Sequence, residues 1–588
     1  MTGQGHSSPP AGVDSHRGDH YGDQKASATH PEASNENVHE QAFSEDKVEM
    51  PSQDKVEMSF SYNKDEDLSQ LEQGEEKQAP QENKMHRTLK SRHLQMISLG
   101  GVIGQGLFLS SGFSITTAGP LGALLGYGFI GFLIYFVTMS LGEMASYIPV
   151  TGAFTIYCRR FVDRSFGLVI GWNYWVCWSL IIASEITAIA LVLKFWTTAL
   201  PEWAWSLITL VLIILLNLFG AQLYGETEYW FSLVKILACA MFIIVGIFVD
   251  AGVLGGDRIG FRYWTGDYSP FADGFRGVLL VLITASFSMQ GSEIVGITAG
   301  ESKNPRRDIP KAIKHVFWRI LIFYILCMFF IGLLIPADDP TLLRSDISLN
   351  VTISPFTRMF EKAGFAAVSS VMNTVILITI LSCGNSALYV SSRTLTGLAK
   401  EGIAPKIFAT VNKRGVPVYS MAASALIACL SFLTKLLPVE KVFIWLMSIP
   451  GVGGFITWFG ISLAHYRFHR AFVVQGRPLS DLPYRAPFFP FGPLFAMLAC
   501  TVITVVQGYP YIVRVDVLLI TGCYIGPFLC IVGYIIAKLV NNTPLTPLAE
   551  IDLDSDRRVE MHDIQAIEER AAAKGKRPWW RRIISFLA

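Results

Sequence analysis

Glu185, Lys235 and Glu293 each stand inside or beside a long apolar run of the sequence, where an ionisable group is rare and costly enough to mark a functional site by default. Glu185 needs a cation or a proton; the alternative is an internal pair with another buried polar group. Lys235 admits two readings. Buried, its amine loses and regains a proton more easily than in water; but it lies two turns, about 10 Å, into its predicted helix and could snorkel to the interface. Glu293 closes a polar interruption, Ser286-Phe287-Ser288-Met289-Gln290-Gly291-Ser292-Glu293, while Glu143 and Glu301 lie near predicted helix ends and read as gate or packing anchors. Asn385 and Ser386 are polar on an apolar stretch, where facing a site and hydrogen-bonding between helices are equally open.

A second pattern surrounds these charges. Gly100-Gly-Val-Ile-Gly104-Gln105-Gly106-Leu-Phe108 carries enough glycine to unwind a helix, at about 1 kcal/mol per Gly relative to Ala. A half-helix that restarts near the middle of a membrane presents open amides, and its N-terminus attracts an anionic group. Gly104, Gln105 and Gly106 therefore form a candidate carboxylate seat; close packing through small residues is the other reading. The interruption at 286–293 lies five predicted helices later, in the corresponding position, and such a pair of breaks points to a binding site. Phe287, Ser288, Gln290 and Gly291 are its candidate contacts.

The elements that must position these residues follow from composition. Of 588 residues, 51% are hydrophobic and 16% charged, more apolar than a soluble core demands. Apolar runs of about 20 residues, the length that crosses a bilayer, recur about twelve times. The predicted spans are 96–117, 121–146, 167–197, 203–220, 229–250, 276–299, 315–336, 364–392, 417–437, 441–465, 488–508 and 516–541. With no water at the bilayer centre they must be helices. A soluble multidomain enzyme is excluded, and the fold class is an all-α polytopic membrane protein with its first and sixth helices broken.

Alternate loops are basic: Arg159, Arg160 and Arg164; Lys303, Arg306, Arg307, Lys311 and Lys314; Lys400, Lys406, Lys413 and Arg414; Arg467, Arg470, Arg477 and Arg485. The flank Lys84, Arg87, Lys90 and Arg92 precedes the first span. The positive-inside rule places these loops, and with an even number of spans both termini, in the cytosol. A sequon, Asn350-Val-Thr352, then falls outside. Residues 1–93 are polar, carry no cleavable signal pattern and repeat Asp46–Met50 as Asp54–Met58, the composition of a disordered cytosolic tail. The twelve-span membrane region covers 94–541 and a cytosolic C-terminal tail 542–588. Within that tail Arg577-Pro578-Trp579-Trp580-Arg581-Arg582 mixes basic and interface-seeking residues suited to an anionic lipid surface. The nine cysteines lie singly, without metal-ligand spacing, and the net charge of +1 offers no nucleic-acid surface. Neither cofactor nor metal is expected.

The helix-one motif, Ser140-Leu-Gly142-Glu143-Met through Pro149-Val-Thr-Gly152, the run from 286 to Gly300-Glu301-Ser302-Lys303-Asn304-Pro305, and Asp481-Leu-Pro483-Tyr484 resemble the fungal amino-acid permeases of the amino acid-polyamine-organocation superfamily. The resemblance covers nearly the whole membrane region. The segment Asp552-Leu-Asp554-Ser555-Asp556-Arg557-Arg558 is similar to the tails of arginine and lysine permeases. It implies a LeuT-type fold of two inverted five-helix repeats plus two helices, and proton-coupled uptake of a cationic amino acid at the plasma membrane, with a vacuolar or endosomal membrane as the alternative address. The bilayer, the substrate and protons are then its partners, and its tails meet trafficking and ubiquitination machinery. In such permeases an acid at the place of Glu185 faces the substrate, a lysine at the place of Lys235 stands near the sodium position of sodium-coupled carriers, and residues at Asn385 and Ser386 turn toward the substrate.

Three positions depart from the family pattern. Gln105 replaces a small hydroxyl residue between the helix-one glycines, Cys177 stands where Ser or Asn is usual, and Pro450 replaces a small hydroxyl in the tenth span. Pro450 removes a backbone donor and is expected to reinforce a break there. A neutral or broad-range carrier, a polyamine carrier and an amino-acid-sensing receptor of the same fold are the alternatives. A polyamine has no carboxylate for the helix-one seat.

Overall fold

The computed structural model describes Met96, residues 103–150, 152–265 and 269–294, most of 309–342, and 353–515 and 517–556. The chain divides into two units, 1–79 and 80–588, and every described residue belongs to the second. The N-terminal tail with its repeat, Glu301, the cations at 303–307 and Lys314, the Asn350 sequon and the 577–584 segment lie outside the described residues.

Among the described residues all regular structure is helical. In chain order the α-helices are α1 (Gln105–Phe108), α2 (Ser110–Tyr147), α3 (Ala153–Phe161), α4 (Arg164–Leu193), α5 (Glu202–Leu218), α6 (Ala221–Asp250), α7 (Gly274–Met289), α8 (Cys327–Leu334), α9 (Pro355–Lys362), α10 (Ala366–Lys400), α11 (Val418–Ala428), α12 (Val439–Val474), α13 (Phe491–Val506), α14 (Tyr509–Arg514) and α15 (Val517–Asn541). Eight helices are long and apolar enough to cross a bilayer, and three shorter apolar ones, α5, α7 and the 320–334 segment, join them. One of the eight, α2, holds parts of two spans. Gly119 (φ 74°, ψ 173°) before Pro120 kinks it between the predicted first and second spans. A side chain at Gly119 would meet Pro270 O at 2.7 Å as well as the positive φ, so glycine alone fits this corner. Each of the twelve predicted spans therefore has its helix, and the chain is a multi-pass membrane protein.

Several boundaries differ from the sequence reading, each for a physical reason. The fifth span begins at Ala221 rather than 229, because the polar stretch that resembled a loop is helical and partly buried. The tenth runs on to Val474, where His465 and His469 are buried against Glu143 of α2. Pro450 does not break it. The helix passes through the proline without interruption, with Ser448 Oγ donating to Ile444 O at 2.8 Å or less, namely 2.7 Å, and Ser286 Oγ of α7 donating to Gly451 O at 2.8 Å. Three short helices, α3, α9 and α14, were not anticipated.

On the face that carries the basic loops, the first part of the C-terminal tail is a docked strap. Ile551 and Leu553 are buried, Gln475 Nε2 donates to Leu548 O and Ile551 O at 3.2 and 2.8 Å, and Arg160 Nη1 donates to Ser555 O at 2.8 Å. Arg477 forms a two-pronged pair with Asp554, at 2.7 and 2.5 Å, and this pairing holds the guanidinium above its ordinary range. On the opposite face, α9 lies against the first span. The Phe356 ring is 4.6 Å from that of Phe108 and 4.2 Å from that of Phe242, and Arg358 Nε lies 3.0 Å from Asp339 Oδ2. Burial alone would push the Asp339 carboxyl up, but the Thr341 hydroxyl and amide and the Arg358 guanidinium together hold it below the usual carboxylate range.

Two outcomes follow for the purified protein. Arg477→Glu lowers the melting temperature, by about 1 kcal/mol of stability for a partly exposed pair, and adding Asp554→Arg recovers most of the loss; no recovery would show that the pair does not hold the strap. Because the folded-state pKa of Asp339 is depressed, its contribution is complete above the ordinary carboxylate pKa and is lost as pH falls through the lower folded value. Asp339→Asn should therefore flatten the decline in thermal stability between about pH 5 and pH 3, and an unchanged acid limb would contradict this.

Candidate functional site

The first break is set by Gly104, whose extended backbone (φ −132°, ψ −151°) caps α1. The amides of Leu107 and Phe108 return to Gly104 O at 3.3 Å, which leaves the first amides of the restarted helix free of helical partners. Glu185 of α4 reaches this N-terminus. Its carboxylate accepts from the Gln105 backbone and the Cys383 thiol, and Glu185 Oε1 lies 2.8 Å from where Gly104 would carry a Cβ. Glu185 is 1% exposed, and its Oε2 has no hydrogen-bond partner among the described residues. A buried carboxylate oxygen left open costs far more than a satisfied one. The site is built to receive a donor there.

Gln105 behaves differently from its expected role at the seat. Its Nε2 donates to Ser184 Oγ at 3.1 Å and its Oε1 accepts from Ser110 Oγ at 3.0 Å, so the side chain binds helix one to α4. Gly106 sits against the second break. A Cβ on Gly106 would fall 2.6 Å from Ser288 Cα, closer than real atoms approach, and the two backbones touch only because that atom is missing.

The second break ends α7 at Met289. Gln290 turns extended (φ −61°, ψ 145°) and Gly291 takes φ 94°. The carbonyls released on both sides of the contact are covered by hydroxyls: Ser288 Oγ donates to Gly106 O at 2.8 Å, Tyr127 OH lies 3.1 Å from Ser288 Oγ, and Tyr324 OH donates to Ser288 O at 2.7 Å. Tyr324 belongs to a π-helical segment, Ile320–Leu326, a distortion often found at functional sites. Arg319 Nη2 donates to Ser292 Oγ. Glu293 accepts from the Gly291 amide through both oxygens at 3.1 Å and from Trp458 Nε1 at 3.4 Å. Gln290 is 3% exposed, and neither its Nε2 nor its Oε1 has a partner among the described residues. It is the second open polar group at the breaks.

The remaining expected contacts are more dispersed. Asn385 Oδ1 accepts from Asn217 Nδ2 at 2.8 Å, and Ser386 Oγ accepts from Tyr224 OH at 3.0 Å, so both side chains join α10 to its neighbours. Phe287 is buried against Gly451 of α12. Cys177 lies eight residues before Glu185, about 12 Å along α4, beside Asn173 and Gly453. Lys235 does not snorkel: it lies midway along α6, is 0% exposed, and its Nζ is 3.3 Å from Glu228 Oε1. Glu228 was missed because the helix was started one residue after it.

Among the described residues one group could hold a metal ion. Glu143, His465 and His469 are buried with candidate ligand atoms within 4.8 Å of one another. Yet Glu143 already accepts from the Ala486 amide at 2.6 Å and pairs with His469 Nδ1 at 2.8 Å, and His465 Nδ1 has no outer partner of the kind that orients a metal ligand. The cluster is accounted for as a tie between α2, α12 and the loop before α13, the anchor role expected of Glu143.

A Gly106→Ala substitution should abolish transport while leaving a protein with a measurable cooperative melt, since the added methyl separates the two breaks at backbone level; uptake above a tenth of the wild-type rate would refute the close-contact account.

Residues 93–548 match the family described as amino acid permease. The chain is 44% identical over 470 residues to the lysine-specific permease LysP of Escherichia coli (strain K12), covering 79% of this chain and 96% of that protein. It is 41% identical over 485 residues to the histidine permease HisP of Lactococcus lactis subsp. cremoris (strain MG1363), covering 81% and 99%. It is also 40% identical over 504 residues to the lysine-specific permease of Saccharomyces cerevisiae (strain ATCC 204508 / S288c), covering 84% and 82%. With the match running through both breaks and nearly every span, the chain belongs to the amino acid permease family, membrane transporters rather than enzymes.

Proposed function

We propose that this permease imports cationic amino acids, coupled to protons, by alternating access around the two helix breaks. The observation that carries the reading is Glu185 Oε2, a buried carboxylate oxygen without a partner beside an open helix N-terminus. A substrate ammonium or guanidinium group would supply the missing donor, and the substrate carboxylate would use the first-turn amide of α1 that Glu185 does not take, together with the open amide of Gln290. Relatives named for lysine and histidine support a basic side chain. Glu185, Lys235 and Glu293 are the ionisable groups at spanning depth around the breaks on which a coupling proton could travel. Gly104, Gln105, Gly106, Phe287, Ser288 and Gly291 shape the site, and Cys177, Asn385 and Ser386 border it through the helices they join. The basic loops orient the carrier with both termini in the cytosol, at the plasma membrane.

The histidine permease among the relatives favours a selectivity broader than lysine alone, which a panel of labelled amino acids resolves. Uptake should be faster at acidic external pH and collapse with an uncoupler; indifference to the proton gradient would defeat the coupling. Glu185→Gln keeps size and removes charge, so it should weaken uptake of lysine and arginine at least about tenfold, as expected for loss of a buried counter-ion, and affect neutral amino acids less. Normal lysine transport by a surface-expressed mutant would remove Glu185 from this role.

A further inference from the structure

Lys235 and Glu228 form a buried pair whose consequences differ from those of a lone buried lysine. They lie seven residues apart, two turns on one face of α6, and both side chains are 0% exposed. The pair is braced from another helix: Ser382 Oγ of α10 lies 2.9 and 2.8 Å from the two Glu228 oxygens. The titratable groups whose charge acts on Lys235 from packed helices are Glu185 on α4 and Cys383 on α10.

Proton accounting separates this arrangement from a carrier. With Glu228 ionised and Lys235 protonated the pair is neutral. Removing the lysine proton strands a carboxylate in the interior, and adding a proton to Glu228 strands an ammonium; each leaves an uncompensated buried charge, the costly outcome for such a pair. Transfer of the proton from Nζ to the carboxylate keeps the pair neutral but changes no proton count, so it moves nothing across the membrane. Glu185 is in the opposite condition. One of its oxygens is open, so a proton or a substrate cation can be taken up there without displacing a hydrogen-bond partner among the described residues.

We infer that Glu228 is a positioning residue that holds Lys235 as a permanent cation throughout the cycle, so that Lys235 is a fixed charge bracing α6 against α10 and the coupling proton travels on the carboxylates at the breaks, Glu185 and Glu293. This rests on the proton-coupled reading above and narrows which of its groups titrate. The pair then has a structural function: it joins two helices through Ser382 without changing its net charge during the cycle.

The test is Lys235→Arg in proteoliposomes, measured by pH-gradient-driven uptake and by substrate exchange in the same vesicles. A guanidinium keeps its proton under all these conditions, so a lysine that must deprotonate cannot be replaced by it. The expected result is that the ratio of uptake at external pH 5.5 to that at 7.5 stays within about twofold of wild type. Persistent exchange with loss of the pH ratio would overturn the inference. Should the larger head group prevent folding, Glu228→Gln alone and together with Lys235→Met decide the matter. The single change takes its partner carboxylate at Glu228 away from the ammonium and should lower the melting temperature; the double change removes both charges, should restore it, and should retain acid-stimulated uptake. A double variant that folds and exchanges substrate but no longer responds to pH would assign the proton to Lys235. If the wild type itself ignores the pH gradient, the coupled reading fails instead, and the two failures are distinct.

Discussion

The contact between Gly106 and Ser288 is the constraint on which the rest of the site depends. Two helices that cross a membrane ordinarily keep their backbones a side chain apart, and here the missing Cβ of Gly106 lets one restarted helix press on the last turn of another. That approach aligns the two breaks, and the breaks in turn release amides and carbonyls that lipid cannot satisfy. The protein answers with hydroxyls on three segments: Ser288 on α7 itself, Tyr127 on α2 and Tyr324 on the π-helical turn. The irregular backbone is therefore stable because it is enclosed. It is also why two polar groups beside it, Glu185 Oε2 and the Gln290 amide, stand out: nearly every other polar atom at the contact has been given a partner.

The architecture was legible in the sequence to the extent that lipid imposes it. Bilayer thickness fixes the length of an apolar run, and the absence of water fixes its conformation, so spans read from composition found their helices even where the ends moved. Glycine density marked the first break, and a polar interruption with a single glycine marked the second. What composition does not encode is who faces whom. Glu228 looked like the last residue of a loop because it is charged, and only its burial beside Lys235 and Ser382 shows it to be interior. Asn385 and Ser386 were polar residues on an apolar helix, a description that fits a substrate contact and an interhelical tie equally; Asn217 and Tyr224, distant in sequence, account for their hydrogen bonds.

Gln105 and Pro450 show the same limit from the other side. Both are unusual for the family pattern, and both were read locally, one as an altered seat and one as a broken helix. Ser184 and Ser110 take up the Gln105 amide, and α12 remains continuous at Pro450. Compensation of this kind resides in tertiary neighbours. A residue's propensity states what it costs, and the fold determines whether that cost is met.

The charges inside the membrane divide according to this logic. Glu143 is saturated by two histidines and a loop amide and belongs to the packing of α2 on α12. Glu228 and Lys235 saturate each other, with a serine as brace. Glu293 is held by the Gly291 amide that its own helix break exposes, so it reports directly on the geometry of that break. Glu185 alone in this set keeps a buried oxygen without a partner. An ion-paired group resists any change in its proton count or its neighbours, because either strands a charge in low dielectric; an open group is stabilised by whichever donor arrives. Rigid elements of a carrier are therefore suited to closed pairs and its binding position to an open one. The chain places its closed pairs on α2, α6 and α12, while of its open groups Gln290 stands in a break and Glu185, on the continuous α4, reaches one.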